Sequence, residues 1–248
     1  MMSLKNKFAI VTGSSSGIGR AIAIRLAKEG CKVVVNCKDS IDKAEKVVEE
    51  IKGNDSESTF IRADVSKQED VKQLFKEALD AFGSVDILIN NASKQGSSEF
   101  WDDKDDEWEQ HFRNDFMSAV MCSREFLKIN KGKKVKKIVN ISSIFGCGDH
   151  SNASFMPYSA AKAALNNFTK NLAREVAPNT LVNTIAPGYV RTPMWDNVDE
   201  KSIKACENET LIKRMILPEE IADAVRFLLS NDAMTGQVIL VDGGLSLK

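Results

Sequence analysis

Tyr158 and Lys162 lie four residues apart and form a pair that could transfer a proton. In a helix this spacing places the phenol and the ammonium on the same face, one turn apart. A lysine held beside a tyrosine favours the phenolate and so lowers the pKa of the phenol toward working pH. Such a tyrosine can donate a proton to a carbonyl oxygen or accept one from an alcohol. The spacing alone is a weak signal, because a half-buried tyrosine and a solvated lysine fall four apart on many helices.

A glycine-rich segment near the N-terminus has the composition of a phosphate-binding turn. The apolar run at 8–12 is followed by Gly13, Gly17 and Gly19, and then by a helical pattern of apolar residues. Glycines let the backbone approach a ligand, and N–H groups at the start of a helix attract negative charge. The spacing is G-x-x-x-G-x-G rather than the general dinucleotide pattern G-x-G-x-x-G. The alternative is an ordinary tight turn from strand to helix.

Composition and charge exclude several classes of protein. The chain has 248 residues, of which 43% are hydrophobic and 28% charged, and its formal net charge is −1. These values are typical of one α/β domain with a large core, which we expect to span residues 1–248. The near-zero charge predicts no nucleic-acid partner and no membrane partner. No apolar run approaches the ~18 residues of a membrane helix, and the N-terminus lacks a signal-peptide core.

The cysteines and histidines predict neither disulfides nor a metal site. The five cysteines are odd in number and scattered, and none forms a C-x-x-C pair. This usage fits a reducing compartment and predicts a cytoplasmic location. Only two histidines are present, so zinc ligands are scarce.

Alternating strand-like and helix-like patterns predict the fold class. Apolar runs typical of strands occur at 7–12, 32–36, 58–62, 85–90, 135–141, 180–185 and 238–241. Helical patterns separate them at 18–29, 40–52, 67–82, 105–129 and 156–176, and a helix at 221–229 precedes the last strand. This order predicts an α/β protein with a single, doubly wound parallel sheet, Rossmann-like and of about seven strands, with helices on both faces.

Polar residues follow three of the predicted strands at the point where each strand ends. Two asparagines at 90–91 end one strand, two serines at 142–143 end the next, and a sharp turn at 187–193 follows a third. In open parallel sheets, ligands bind outside the carboxyl ends of the strands. We therefore expect these residues to meet the glycine loop and the tyrosine–lysine pair in one crevice.

The chain resembles the short-chain dehydrogenase/reductase family over almost its whole length. The resemblance rests on ordered motifs at 12–19 (TGSSSGIG), 64–65 (DV), 90–92 (NNA), 141–143 (ISS), 158–162 (YSAAK), 187–188 (PG) with Thr192, and 241–244 (VDGG). It implies an NAD(P)-dependent oxidoreductase that transfers a hydride between a nicotinamide and a carbonyl or secondary alcohol. A ketone or 3-oxoacyl reductase is favoured. The alternatives are a sugar or polyol dehydrogenase and, in another class, a non-catalytic dinucleotide-binding sensor or scaffold.

The resemblance also implies individual roles. Tyr158 matches the catalytic tyrosine, Lys162 the lysine that also binds the nicotinamide ribose, and Ser143 the serine that binds the substrate oxygen. The family's N-N-A-G reads N-N-A-S here, so the side chain of Ser93 intrudes where backbone usually passes near the cofactor. Besides Tyr158 and Lys162, the implied cofactor-binding residues are Gly13, Ser15, Ser16, Gly17, Ile18, Gly19, Cys37, Lys38, Asp64, Val65, Asn91, Ala92, Pro187, Gly188, Val190 and Thr192.

One departure from the family touches catalysis. Family members carry an asparagine seven residues after a common tryptophan, and counting from Trp108 gives Asp115, whereas Asn114 lies one position early. A one-residue shift turns a helical side chain by roughly 100°, so Asn114 cannot simply replace it. In the family this position bends the helix, and its main-chain carbonyl holds a water near the lysine. We include Asp115 among the catalytic candidates and expect its carboxylate to offset partly the effect of Lys162 on Tyr158.

The end of the second strand favours NADP over NAD. An acidic residue ~20 residues past the glycine loop would hold the ribose hydroxyls of NAD. Here the strand is followed by Cys37 and Lys38, and Lys38 can pair with a 2′-phosphate, as basic residues do in NADP-dependent relatives. Ser16 replaces the basic residue often found in the glycine loop of those relatives, and Asp39 is near, so NAD stays the alternative.

The resemblance suggests where a small-molecule substrate binds, although the sequence does not specify the substrate. A lid at about 193–215 should cover the nicotinamide, and the segment 146–155 should form the opposite wall. Such side chains serve packing as often as recognition. The expected apolar pocket would consist of Phe155, Met194, Trp195 and Met215.

The resemblance further implies a homotetramer. The apolar C-terminal run at 238–247 should lie at one interface. The helices at 105–129 and 156–176 should pack at another.

Overall fold

Seven short β-rich runs form one parallel sheet in the computed structural model of the chain. The structure describes residues 3–53, 56–94, 96, 100–101, 105–130, 135–150 and 152–247. The strands are β1 (Phe8–Val11), β2 (Lys32–Cys37), β3 (Ser58–Arg62), β4 (Ile87–Asn90), β5 (Lys136–Ile141), β6 (Thr180–Pro187) and β7 (Val238–Val241). Their order across the sheet is β3-β2-β1-β4-β5-β6-β7, and each neighbouring pair is parallel.

Helices connect the strands and cover the sheet. They are α1 (Gly17–Lys28), α2 (Ile41–Lys52), α3 (Gln68–Phe82), α4 (Asp105–His111), α5 (Ser118–Ile129), α6 (Met156–Val176), α7 (Glu200–Glu209) and α8 (Pro218–Ser230). A π-helical segment, Phe112–Met117, joins α4 directly to α5. Within the described residues, no helix is both long and apolar enough to cross a bilayer. The same residues contain no group of three or more His, Cys, Asp or Glu side chains arranged to hold a metal ion.

The order of the strands creates a crevice at the carboxyl edge of the sheet. The chain builds outward from β1 through β2 to β3, and then crosses to the other side of β1 to start β4. The connections that leave β1 and β4 therefore diverge to opposite sides. Ligands of open α/β sheets bind at this reversal.

Two hydrophobic cores fix the strand ends that border this crevice. Side chains of β2 alternate between them, because Val33 and Val35 face one core whereas Val34 faces the other. Helices α1, α2 and α8 cover the first face, and α3, α5 and α6 cover the second. Full burial of each Val or Leu side chain contributes about 1.5–3 kcal/mol of transfer free energy. Both faces being buried explains why the strands are almost continuously apolar.

The predicted fold class is confirmed, with three local differences. Strand β6 extends to Pro187, beyond the predicted end at 185. The predicted helix at 105–129 contains the π-helical segment, which no apolar period reveals. Helix α7 was not predicted, because none of its residues is buried and it therefore lacks an apolar stripe. Its start did carry a signal, since Asp199 caps the helix by accepting a hydrogen bond from the N–H of Ser202 at 2.9 Å.

Candidate active site

Helix α6 places the tyrosine and the lysine one turn apart at the carboxyl edge of the sheet. Pro157 lies in the first turn, where its fixed φ suits the start of a helix. Lys162 is 2% exposed, and its Nζ donates to the main-chain oxygen of Ile141 at 3.0 Å. The same Nζ lies 5.4 Å from the centroid of the Tyr158 ring. The ammonium is therefore fixed between the end of β5 and the phenol.

The two serines that follow β5 do different things. The hydroxyl of Ser142 donates to the main-chain oxygen of Lys162 at 3.2 Å and so ties β5 to α6. The hydroxyl of Ser143 accepts from the N–H of Phe145 at 3.2 Å and interacts with the phenol of Tyr158. Ser143, as predicted from the motif, is thus the serine beside Tyr158.

Burial dominates the titration of the tyrosine and the lysine. Loss of water contact raises the pKa of Tyr158, the Asp115 carboxylate raises it further, and hydrogen bonds with Ser143 and Ser93 lower it. Burial also lowers the pKa of Lys162, while Asp115 opposes that shift. The sequence prediction that the pKa of Tyr158 is lowered toward working pH is therefore wrong for this structure, because desolvation and the Asp115 carboxylate raise the pKa more than the hydrogen bonds with Ser143 and Ser93 lower it.

Asp115 lies inside the protein beneath the crevice. Its side chain is fully buried, and Oδ1 is 3.9 Å from Nζ of Lys162. Oδ1 also accepts hydrogen bonds from the main-chain N–H of Lys94 at 2.9 Å and from the hydroxyl of Ser93. Oδ2 contacts Nδ1 of His111 at 2.8 Å. The structure thus brings Asp115 close to Lys162 and gives it three further partners.

The π-helical segment determines which side chains reach this position. Such segments are rare and occur frequently at functional sites. Asn114 borders the crevice, but its side-chain amide donates to the main-chain oxygen of Gln110 at 2.7 Å. Its main-chain oxygen accepts from the hydroxyl of Ser118 at 2.5 Å. The polar groups of Asn114 are therefore engaged along the helix rather than with Lys162.

A polar cleft of about 400 Å³ runs along the carboxyl edge of the sheet; we refer to it as the nucleotide cleft. Tyr158 and Lys162 lie at one end of it and Lys38 at the other. Most of the residues predicted to bind the cofactor line it: Gly13, Ser15, Ser16, Gly17, Ile18, Gly19, Cys37, Lys38, Asp64, Val65, Asn91, Ala92, Tyr158, Lys162 and Thr192.

The start of α1 presents an uncapped helix end to the nucleotide cleft. Ser16 precedes the helix without capping it through its side chain, and the first turn contains no acidic residue. The N–H groups of this turn can therefore meet an anion without competition. Gly19 keeps the turn tight, because a Cβ there would lie 2.4 Å from Nδ2 of Asn91. That amide donates to the main-chain oxygens of Thr12 and Gly13. These features fit the pyrophosphate of a dinucleotide.

Positive charge borders the other end of the nucleotide cleft. Nζ of Lys38 lies 3.1 Å from Oδ2 of Asp64, and its side chain is 57% exposed. The guanidinium of Arg62 donates through Nε to the main-chain oxygen of Lys38 at 3.0 Å. Burial raises the pKa of Asp64, but hydrogen bonds from Ser66 and Lys38 outweigh it, so the net shift is downward. Asp64 is therefore held as a carboxylate beside these cations.

A second, largely apolar cavity of about 350 Å³ opens on the other side of Tyr158; we refer to it as the apolar cavity. The rings of Phe145 and Phe155 stack with centroids 5.4 Å apart, and Tyr189 contacts both Phe145 and Trp195 edge to face. The hydroxyl of Tyr189 donates to Oε2 of Glu209 at 2.9 Å, which links the cavity wall to α7. The predicted residues Ser143, Pro187, Gly188 and Val190 line this cavity, and Thr192 and Tyr158 border both hollows.

Comparison with known proteins identifies the family. The family model for short chain dehydrogenases matches residues 7–203. The 3-oxoacyl-acyl-carrier-protein reductase of Staphylococcus epidermidis is 38% identical over an alignment of 244 positions that covers 97% of this chain and 99% of that protein. The chain belongs to the short-chain dehydrogenase family. The predicted family and enzyme class, a nicotinamide-dependent oxidoreductase, are thereby confirmed.

Further relatives in the family agree with this assignment. The 3-oxoacyl-acyl-carrier-protein reductase of Synechocystis is 36% identical over an alignment of 250 positions that covers 99% of each chain. A solved short chain dehydrogenase from Burkholderia cenocepacia, in complex with NADP, is 28% identical. It superposes with a TM-score of 0.91 and covers 99% of this chain and 100% of its own.

Sequence reasoning missed the roles of four residues of this short-chain dehydrogenase site and misplaced another residue. Met215 is 3% exposed and does not line the apolar cavity, because it lies beside Ile216, whose N–H donates to the main-chain oxygen of Tyr189. Of the wall predicted at 146–155, Ser151 lies outside the described residues. The missed roles are those of Ser93 and His111 at Asp115, and of Phe145 and Tyr189 in the apolar cavity; Ser93 was expected near the cofactor, but its contact with Asp115 was not predicted. Phe145 and Tyr189 lie next to motif residues, which was the available signal.

Proposed function

We propose that this short-chain dehydrogenase reduces a ketone or a 3-oxoacyl group with NADPH. The single observation that carries the proposal is the position of Tyr158, whose side chain borders both the nucleotide cleft and the apolar cavity. A proton donor at this junction is adjacent to both a bound cofactor and the oxygen of a bound substrate. That arrangement suits proton transfer to a carbonyl oxygen as it is reduced.

The roles of the side chains follow from their positions. The nucleotide cleft would hold the dinucleotide with its pyrophosphate at the start of α1, and the bound cofactor supplies the hydride. Ser143 orients the substrate oxygen by a hydrogen bond, and Tyr158 donates the proton that this oxygen gains. The ammonium of Lys162 stabilises the phenolate that is left behind. Donors placed where charge develops are the usual source of such stabilisation.

Three observations support NADP as the cofactor. Lys38 is exposed at the end of the nucleotide cleft, where a 2′-phosphate could displace its contact with Asp64. Arg62 places a second cation beside the same turn. The Burkholderia relative was solved with NADP.

The walls of the apolar cavity favour an apolar carbonyl substrate over a sugar or polyol. Aromatic side chains stack well on acyl or aryl groups, whereas a polyol needs many hydrogen-bonding partners. The names of the relatives point the same way, since two of them are 3-oxoacyl-acyl-carrier-protein reductases. The segment 193–215, which includes the exposed helix α7, would act as the lid of this cavity.

Cofactor oxidation with a defined panel tests the proposal. The protein is mixed with NADPH or NADH and with acetoacetyl-CoA, ethyl acetoacetate or acetophenone, and the reverse reaction is tried with glucose and sorbitol. We expect turnover of at least one apolar carbonyl with NADPH and none of the polyols. Turnover of the polyols alone would favour the dehydrogenase alternative, and no turnover at all would favour the sensor.

A homotetramer is a second part of the proposal. Leu240 and Leu247 are 40% and 78% exposed, and they belong to the C-terminal segment that we expect at one interface. Static light scattering at micromolar concentration should give four times the mass of the 27.4 kDa chain. The mass of a single chain would contradict it. The cytoplasmic location stays a prediction; all five cysteines are free thiols.

A further inference from the structure

A line of polar side chains connects Tyr158 with a buried histidine. Ser93 borders the nucleotide cleft beside Tyr158 and interacts with its phenol. The Ser93 hydroxyl donates to Oδ1 of Asp115, and Oδ2 of the same carboxylate contacts Nδ1 of His111 at 2.8 Å. The family's motif, N-N-A-G, has glycine where this chain has Ser93. The serine therefore supplies the link between the phenol and the carboxylate.

His111 is placed to exchange protons although it is buried. It is 1% exposed, and its ring lies 6.0 Å from that of Tyr158 in an edge-to-face contact. Its Nε2 faces Gly96, since a Cβ on that glycine would lie 4.0 Å away. Gly96 is exposed and borders the apolar cavity. The imidazole thus lies between the carboxylate of Asp115 and the exposed Gly96.

Anchoring of the loop after β4 does not explain why a histidine is present. The main-chain N–H of Lys94 already binds Asp115 at 2.9 Å, and its Nζ binds Glu107 and Gln110, each at 2.6 Å. These contacts hold the loop against α4 without a group that titrates near neutral pH. Imidazole is the side chain whose charge ordinarily changes between pH 5 and 8.

We propose that Ser93, Asp115 and His111 form a proton relay that reloads Tyr158 during the reduction proposed above. When Tyr158 gives its proton to the substrate oxygen, Ser93 gives its hydroxyl proton to the phenolate and takes one from the carboxyl group of Asp115. Asp115 in turn takes the proton of the His111 imidazolium. A half-turn about its Cβ–Cγ bond exchanges the positions of the two carboxyl oxygens and so brings the protonated oxygen from His111 to Ser93.

The steps of the relay conserve the number of protons. One N–H bond breaks on His111 and one O–H bond forms on Tyr158, while Ser93 and Asp115 end as they began. Alcohol oxidation runs the same steps in reverse. His111 then takes a new proton from solvent through the side that faces Gly96.

The elements that pack against the relay bring the following charged or titratable groups to it. Helix α6 contributes the Lys162 ammonium, 3.9 Å from Oδ1 of Asp115, and the phenol of Tyr158. Helix α4 contributes Glu107, which is paired with Nζ of Lys94 from the loop after β4. Within this group, His111 is the source of the proton that the proposed relay carries to Tyr158.

Substitution of Ser93 breaks the relay without removing the catalytic tyrosine. With acetoacetyl-CoA and NADPH, Ser93→Ala should lower kcat at least about tenfold, within the range of general acid–base effects, and leave KM for NADPH within about twofold. The proton inventory in mixed H₂O and D₂O should change from curved to linear, because fewer protons move together. Ser93→Thr keeps a hydroxyl and should restore most of kcat.

A matched control is available one residue from the tyrosine. The hydroxyl of Ser159 is buried and has no hydrogen-bond partner among the residues that the structure describes. Ser159→Ala removes a serine hydroxyl from the helix that carries Tyr158 and should leave kcat and the proton inventory unchanged. A Ser93→Ala variant that kept more than half of the wild-type kcat, with a curved inventory, would overturn the relay.

His111→Asn separates proton transfer from structural support. Asparagine retains an N–H group near the position of Nδ1, so it can keep the contact with Asp115, but its amide cannot release a proton and take up another as imidazole does. We expect a loss of kcat similar to that of Ser93→Ala and a linear proton inventory. Wild-type kcat and a curved proton inventory in His111→Asn would show that the histidine is structural.

A second readout does not depend on turnover. If the wild type reduces none of the carbonyl probes, the proposed function fails, and nuclear magnetic resonance then decides the relay. In a His150→Gln protein, His111 is the only histidine of the chain, and its Nδ1 proton can be assigned. Ser93→Ala should shift this resonance and Ser159→Ala should not. A resonance that Ser93→Ala leaves in place would overturn the relay independently of the enzyme assay.

Discussion

The nucleotide cleft and the apolar cavity meet at Tyr158 but are built in different ways. The cleft is formed by main chain at strand ends, by the first turn of α1, and by side chains that hold these segments together, such as Asn91. The apolar cavity is formed by aromatic side chains on short turns, including Phe145, Phe155 and Trp195. Backbone geometry therefore defines one region, and side-chain identity defines the other. The nucleotide cleft can therefore stay the same for different substrates, whereas the side chains of the apolar cavity can differ with the substrate.

The largest predicted effect lies where the two regions meet. Tyr158→Phe keeps the ring and its packing but removes the transferable proton, so reduction should fall by about 10²–10⁴-fold. Affinity for NADPH, measured by fluorescence titration, should change little. A variant that retained more than about a tenth of wild-type turnover would require another acid.

The next largest effect concerns the nucleotide cleft alone. Lys38→Ala should raise KM for NADPH about tenfold or more, because a hydrogen bond to a charged group contributes about 1.5–3 kcal/mol. KM for NADH should be nearly unchanged. Lys67→Ala is the control, because Lys67 also faces Asp64, at 3.9 Å, but does not border the cleft. Equal effects of Lys38→Ala on both cofactors would show that Lys38 does not meet the 2′-phosphate.

A smaller effect is expected in the apolar cavity. Trp195→Ala removes an aromatic wall, so KM for an apolar ketone should rise about three- to tenfold, the effect expected from about 1 kcal/mol of lost aromatic contact. KM for NADPH should stay the same. Trp101, which is 89% exposed and lies outside the cavity, provides the matched control Trp101→Ala. An unchanged KM for every ketone of the panel would mean that Trp195 does not contact the substrate.

The smallest effect is a displacement of a pH profile. The carboxylate of Asp115 raises the pKa of Tyr158, so Asp115→Asn should lower that pKa. Alcohol oxidation needs the phenolate, whose fraction grows as the pH rises through this pKa. The rise of kcat with pH should therefore move to lower pH by about 0.5–1 unit if chemistry limits the rate. Loss of the proposed relay in Asp115→Asn would lower the rate without displacing the profile along the pH axis. A profile at the same pH position as that of the wild type would contradict the electrostatic effect.

The contrast between the two regions also explains what could be predicted from the sequence. The sheet, its helices and the nucleotide cleft follow from apolar periods and glycine spacing, which report backbone geometry directly. The positions of Ser143, Tyr158 and Lys162 could be predicted, since Ser143 follows a strand end and Tyr158 and Lys162 have the spacing of one helical turn. The pKa of Tyr158 was predicted in the wrong direction, because the degree of burial is not visible in a four-residue spacing.

Residues that act through tertiary contacts stayed hidden. His111 reaches Asp115 through the π-helical segment, and no sequence period signals such a segment. Met215 was placed in the pocket because it is apolar and lies in the predicted lid, but the pairing of Ile216 with Tyr189 draws it into the interior. Apolar character alone does not distinguish a cavity wall from a core.

A double-mutant cycle tests most directly the claim that cleft and cavity bind separately and meet only at the catalytic residues. Turnover is measured for the wild type, Lys38→Ala, Trp195→Ala and the double variant, at NADPH and ketone concentrations well below both Michaelis constants. Substitutions at independent sites add within about 0.3–0.5 kcal/mol, so the two losses should multiply to within about twofold. A double variant that departed from this product by about tenfold or more would show that the two regions form one coupled site.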